Sequence, residues 1–154
     1  MLNSTHIAQT DFILKELNKG HEVDTIYLDF AKAFDKVDHQ ILLAKLERYG
    51  IRGKLLDWIR SFLVGRTQTV VVDGEKSTYQ PVRSGVPQGT VLGPVFYILY
   101  AIDLILRLLH SKAFSFADDT KLLIAILGVL SQLMLQQDLE VVSEWARQNN
   151  MVLH

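Results

Sequence analysis

The chain has 154 residues, 49% of them hydrophobic and 21% charged. That is enough for a globular domain with a real core, and it is the wrong balance for a disordered chain. The absence of cysteine excludes a disulfide scaffold and a cysteine-based zinc site. The net charge of −1 lacks the basic surplus by which most nucleic-acid-binding domains neutralise phosphates, so a nucleic-acid reading has to rest on motifs.

Along the chain, Asn3 or Ser4 is placed to cap a first helix with apolar positions Ile7, Ile13, Leu14 and Leu17 and a stop at Gly20. Residues 23–30 (VDTIYLDF) read as a strand. A helix over 38–49 follows, carrying Ile41, Leu42, Leu43, Leu46 and Tyr49 and ending at Gly50. A second helix over 53–63 repeats the pattern with Leu55, Leu56, Trp58, Ile59 and Phe62. Residues 67–72 and 78–82 flank Asp73-Gly74, a hairpin signal. Residues 90–109 form a long apolar helix. Residues 113–117 and 121–126 flank Asp118-Asp119 as a second hairpin, and 132–149 form a last helix with Leu133, Leu139, Val142 and Trp145 facing inward. The fold class expected is α+β, a small antiparallel sheet packed on helices. The apolar runs over 91–102 and 122–130 fall short of the roughly 20 residues a membrane span needs. The first eleven residues lack the apolar stretch of a secretory leader, so no membrane partner is expected.

Two features carry chemistry. Asp29 ends an apolar strand, and Asp118-Asp119 sits between two others. Crowded carboxylates are costly unless a cation neutralises them. Adjacent strand residues point to opposite faces, so the two neighbours can serve one site only from a turn. If the strands pair, three carboxylates converge as hard oxygen ligands suited to Mg²⁺, with Mn²⁺ as a substitute. Taken singly, each aspartate is equally a turn former or a helix cap. Asp35 is expected to cap the helix that follows it, and His39 is expected to be structural rather than a base.

The wording around these residues resembles the three core polymerase motifs of reverse transcriptases from non-LTR (LINE-type) retrotransposons. Motif A is matched by residues 28–39 (LDFAKAFDKVDH), motif B by 83–94 (RSGVPQGTVLGP) and motif C by 116–122 (FADDTKL). The order, the spacing and the intervening YGI (49–51), WIRSFLVG (58–65) and RTQTVVV (66–72) also match. The resemblance implies a polymerase palm-like fold and an RNA-directed DNA polymerase, which transfers a nucleotide from a dNTP to a primer 3′-hydroxyl with two Mg²⁺ ions. Asp29, Asp118 and Asp119 would hold the metals and be catalytic. Phe30 would offer its backbone to the triphosphate. Phe34, five residues after Asp29, would exclude a ribose 2′-hydroxyl by steric clash; on periodicity alone it reads as core. Gln88 would touch the incoming nucleotide and template base, with Gly89 beside it in a loop that opens a helix.

The resemblance implies an RNA template, a DNA primer and dNTP as partners. It also implies that residues 1–154 form a single, partial reverse transcriptase domain, incomplete in its fingers and without a thumb, which the parent polyprotein would supply. The isolated chain is then expected to be weakly active or inactive. Departures from the family are Ile102-Asp103-Leu104, where Asn-Asp-Leu is usual, and the unusually apolar 124–135 (IAILGVLSQLML), which would be a diverged segment or an exposed sticky surface. Two competing readings remain: a catalytically dead transposon remnant or interaction module, and a nucleotide cyclase. The cyclase would lack the Pro-Gln-Gly loop and the aromatic five residues after the first aspartate.

Overall fold

A computed structural model describes residues 4–116 and 118–154. The expected cap at Asn3 and the strand end at Ala117 lie outside the described residues. Two compact units emerge: Met1–Ala31 with Ala101–His154, and Lys32–Tyr100.

The first unit is built on a three-stranded antiparallel sheet in the order β1-β7-β6. Strand β1 is Glu22–Leu28, β6 is Lys112–Phe116 and β7 is Asp119–Ile126. The β-branched and aromatic residues of β1 suit an edge strand with one covered face. The central strand β7 instead carries consecutive buried residues, Leu122, Leu123 and Ile124, which a strand with both faces covered requires. Helix α1 (Ser4–Asn18) packs against β1 and β6, and α5 (Val129–Gln148) packs against β7. The ring of Phe12 on α1 lies 6.3 Å from that of Phe114 on β6. The opposite sheet face meets α5, where Trp145 is fully buried and sits 5.6 Å from the ring of Phe30. The Trp145 indole N–H donates to Asp103 at 2.9 Å, so the aspartate of the divergent Ile-Asp-Leu triplet satisfies the one polar atom of a buried ring.

Helix α5 begins three residues earlier than its periodicity predicts, and its inner face is Leu135, Asp138, Val142, Trp145 and Ala146. Leu133, expected inside, is 57% exposed. The apolar run splits: residues 122–124 are core, while Leu127, Val129, Leu130 and Leu133 stand in solvent. Asp138 is 1% exposed. Its carboxylate accepts the main-chain N–H groups of Leu109, His110 and Ser111 at 3.0, 3.1 and 2.6 Å. Burial pushes this carboxyl upward, but those N–H bonds outweigh it and hold the group below its ordinary value of 3.8.

The second unit packs helices α2 (His39–Arg48) and α3 (Gly53–Leu63) together through Leu42, Leu46, Leu56, Ile59 and Leu63. Asp38, not Asp35, caps α2: its carboxylate accepts from the N–H groups of Gln40 and Ile41 at 2.9 and 3.1 Å. Lys45 is 7% exposed. It donates to the Tyr100 carbonyl at 2.6 Å and lies 4.5 Å above the Tyr100 ring, which supplies the partners a buried ammonium needs. The predicted hairpin is two short ladders: β2 (Thr67–Gln68) with β5 (Gln80–Pro81), and β3 (Val71–Val72) with β4 (Glu75–Lys76). Asp73 and Gly74 both have positive φ, 51° and 87°, as a tight two-residue hairpin turn requires. Helix α4 (Leu92–Arg107) starts in this unit. Thr90 caps it, its hydroxyl accepting from the N–H of Gly93 at 3.1 Å. Among the described residues no helix is long and apolar enough to cross a membrane.

Candidate functional site

The three predicted carboxylates all belong to the first unit and all lie at one end of its sheet. In the β1–β7 ladder Leu28 pairs with Thr120. The ladder ends at that pair, which adjoins Asp29 and Asp119 in sequence. In the β6–β7 ladder Phe116 pairs with Asp119, and Asp118 is a turn residue just before β7. The expectation that both aspartates sit in a turn is corrected here: Asp118 does, whereas Asp119 is the first residue of β7. Asp29, Asp118 and Asp119 are exposed.

Sheet alternation distributes the neighbours. Phe30 turns to the buried Trp145 side. Lys121, two residues after Asp119 and therefore on its face, spans the Tyr27 ring at 5.0 Å. The backbone beside Asp29 is held by the chain's last residues. His154 N–H donates to the Asp29 carbonyl at 3.0 Å, and Ala31 N–H donates to the Val152 carbonyl at 2.8 Å. This bridge pairs Phe30 with Leu153. It uses main-chain groups on either side of Phe30.

Carboxylate oxygens are the donor type that Mg²⁺ prefers, and these three share one strand end. In the side-chain positions present, however, no three His, Cys, Asp or Glu groups among the described residues gather closely enough to hold an ion.

The second unit carries the other predicted residues. Phe34 is half-buried, its ring 4.8 Å from that of Tyr97. Gln88 and Gly89 are exposed, and Gly89 has a φ of 75° with open space where a side chain would stand. The loop bearing them rests on the turn that follows motif A. Gly85 N–H donates to the Val37 carbonyl at 2.8 Å and Val86 N–H to that of Phe34 at 3.0 Å. A Cβ on Gly85 would lie 2.9 Å from both the Cα and the carbonyl oxygen of Asp35. Two side chains, one buried and one half-buried, fix the Gly85 carbonyl: His39 Nε2–H donates to it at 2.8 Å and Arg66 at 2.7 Å. His39 is therefore a loop anchor. Gln88 Nε2–H donates to the Asp35 carboxylate at 2.9 Å, a contact between residues 53 apart that no spacing rule reveals. An open depression of about 680 Å³ borders this loop, with Lys32, Arg66 and Arg83 among its walls. Lys32 holds a φ of 52°, a strained value for a residue with a Cβ.

Charge divides between the units. The first has six Lys and Arg against eleven Asp and Glu, and the second has ten against six. A chain of net charge −1 thus contains a unit at −5 and a unit at +4.

Comparison with known proteins points one way. The family model for reverse transcriptase (RNA-dependent DNA polymerase) matches residues 3–154. The RNA-directed DNA polymerase from mobile element jockey of Drosophila melanogaster is 34% identical over 148 residues, covering 91% of this chain and 16% of that protein. The Pol polyprotein of the type-1 retrotransposable element R2 of Popillia japonica is 31% identical over 117 residues, covering 68% of this chain and 19% of that protein. The chain therefore spans less than a fifth of these relatives. Among solved structures, apo telomerase from Candida tropicalis superposes over 100% of this chain and 35% of its own, with a TM-score of 0.65 at 14% identity. Telomerase from Candida albicans, in complex with a fragment of telomeric RNA, covers 99% of this chain and 31% of its own at 0.68 and 15%. These two likenesses bear on the fold, which is that of a polymerase palm with its helices.

Proposed function

Because the chain belongs to the reverse transcriptase family, we propose that it is the palm segment of an RNA-directed DNA polymerase, acting on an RNA template, a DNA primer and a dNTP. What supports this reading, beside the family match, is that Asp29, Asp118 and Asp119 all lie at one end of the β1-β7-β6 sheet. These three carboxylates would hold two Mg²⁺ ions. When bound, such ions activate a primer hydroxyl and neutralise charge on the leaving pyrophosphate.

The other roles fall to residues of the second unit and to Phe30. Phe30 lends its backbone to the triphosphate. Phe34 selects a deoxyribose by occupying the space of a 2′-hydroxyl, and Gln88 with Gly89 meets the nucleotide. The +4 unit supplies the basic surface that the whole-chain charge conceals, consistent with an RNA-binding role; one telomerase neighbour was solved with RNA bound. Fingers and thumb segments of a larger polypeptide complete the catalyst. The 154-residue chain alone is expected to extend primers weakly or not at all.

The ungathered carboxylates favour a second reading, a folded transposon remnant without chemistry. A titration with Mg²⁺ or Mn²⁺ in the presence of dNTP separates the two. Metal-dependent nucleotide binding that disappears in Asp118→Asn supports the polymerase site, and indifference to metal supports the remnant.

A further inference from the structure

The amide of Gln88 has a fixed sense. Its Nε2–H donates to Asp35 Oδ1 at 2.9 Å. A carboxylate accepts and does not donate, so the reversed amide would place Oε1 against Oδ1, two acceptors at hydrogen-bond distance. The contact stands on a rigid base. Ser84 Oγ–H donates to the Asp35 main-chain carbonyl at 2.8 Å, and Asp35 N–H donates to the Lys32 carbonyl at 2.9 Å. The close approach at Gly85 leaves no room for a side chain between loop and turn. The backbones of residues 35 and 85 are thereby tied together before either side chain is considered.

We infer that Asp35 is a positioning residue: it holds the Gln88 carboxamide with its nitrogen engaged, so that the loop offers a ligand the acceptor oxygen Oε1. The group that this oxygen recognises on the nucleotide is then a hydrogen-bond donor. This rests on the proposal that Gln88 meets a nucleotide. It assigns Asp35 a role that helix capping, taken by Asp38, does not.

The test uses the 154-residue chain and two readouts. The first is the ¹⁵N side-chain amide pair of Gln88, assigned by its loss in Gln88→Ala. It is expected to be shifted and slowed in solvent exchange in the parent chain, and to return to free-amide behaviour in Asp35→Ala. That variant keeps the Ser84 bond, because the acceptor there is main-chain. The second is the affinity for Mg²⁺-dTTP. Asp35→Ala is expected to weaken it about five- to tenfold, the worth of one exposed hydrogen bond of ordinary net strength. The double variant with Gln88→Ala is expected to be no weaker than Gln88→Ala alone, because Asp35 acts through Gln88. Asp35→Asn, which can pair with either amide sense, is expected to fall between. A Gln88 amide unmoved by Asp35→Ala overturns the inference, as do additive losses in the double variant. If the parent chain binds no nucleotide, the reading of the substrate loop fails, while the amide measurement still decides whether Asp35 orients Gln88.

Discussion

Asp138 shows how one buried carboxylate can organise a connection. The segment between α4 and β6 has main-chain N–H groups that neither element satisfies, and Asp138 takes three of them. Replacing it by alanine strands those donors, and a loss of about 3 kcal/mol is expected in urea unfolding. The sign with pH follows from its lowered folded value. The unfolded chain binds this proton more readily, so the stabilisation is complete above about pH 4 and fades as pH falls through the folded value. Asp138→Asn should flatten that part of the acid limb. Gly85 is the second residue-scale constraint. Its φ of 89° and its 2.9 Å approach to Asp35 forbid a Cβ. Gly85→Ala is expected to cost about 2 kcal/mol or more and to disturb the backbone amide signals of residues 34–37. The aspartates at 29, 118 and 119, the aromatic at 34 and the Gln at 88 were picked out by motif wording, on which their proposed roles rest. The Asp35–Gln88 contact was not, because it joins distant positions through a fold. Asp35 also misleads as a cap, since a better-placed aspartate follows three residues later.

At the scale of elements, hydrophobic period located both long helices and all three strands of the β1-β7-β6 sheet, with helix α3 matched end to end. Its errors have physical causes. Leu133 sits at helical spacing from other apolar residues yet is exposed, because the α5 face is set by Leu135, Val142 and Trp145 together with an aspartate that pattern reading counts as polar. The 67–82 hairpin reads as one ladder but forms two, interrupted where Thr69, Val70 and Ser77 bond through side chains. Lys45, on α2, likewise looks like a surface charge in sequence, while its buried ammonium binds a carbonyl and a ring. Lys45→Met keeps the stem and removes the charge together with its desolvation cost, so a change within about 1.5 kcal/mol is expected. Lys45→Ala also leaves a cavity and is expected to lose about 3 kcal/mol. Thermal unfolding of the two variants measures the difference.

At the scale of the whole chain, net charge averages a −5 unit with a +4 unit. If the basic unit tracks nucleic acid, binding of single-stranded RNA is expected to weaken steeply between 50 and 200 mM salt. Reversing Arg66 and Arg83 to glutamate should reduce the salt slope by about one to two. A slope unchanged by the double reversal would move the RNA surface elsewhere. The family match runs through both units.

The short ladders around Asp73-Gly74 have one more consequence. Val70, Val71, Val72 and Tyr79 are all more than half exposed, on or directly beside strands only two residues long. Such a ribbon presents open main-chain edges and apolar side chains together, which is the template for cross-β stacking between molecules. Concentrated solutions should therefore turn turbid in a manner seeded by their own precipitate, and a single Val71→Lys gatekeeper should delay the onset without altering the helix content.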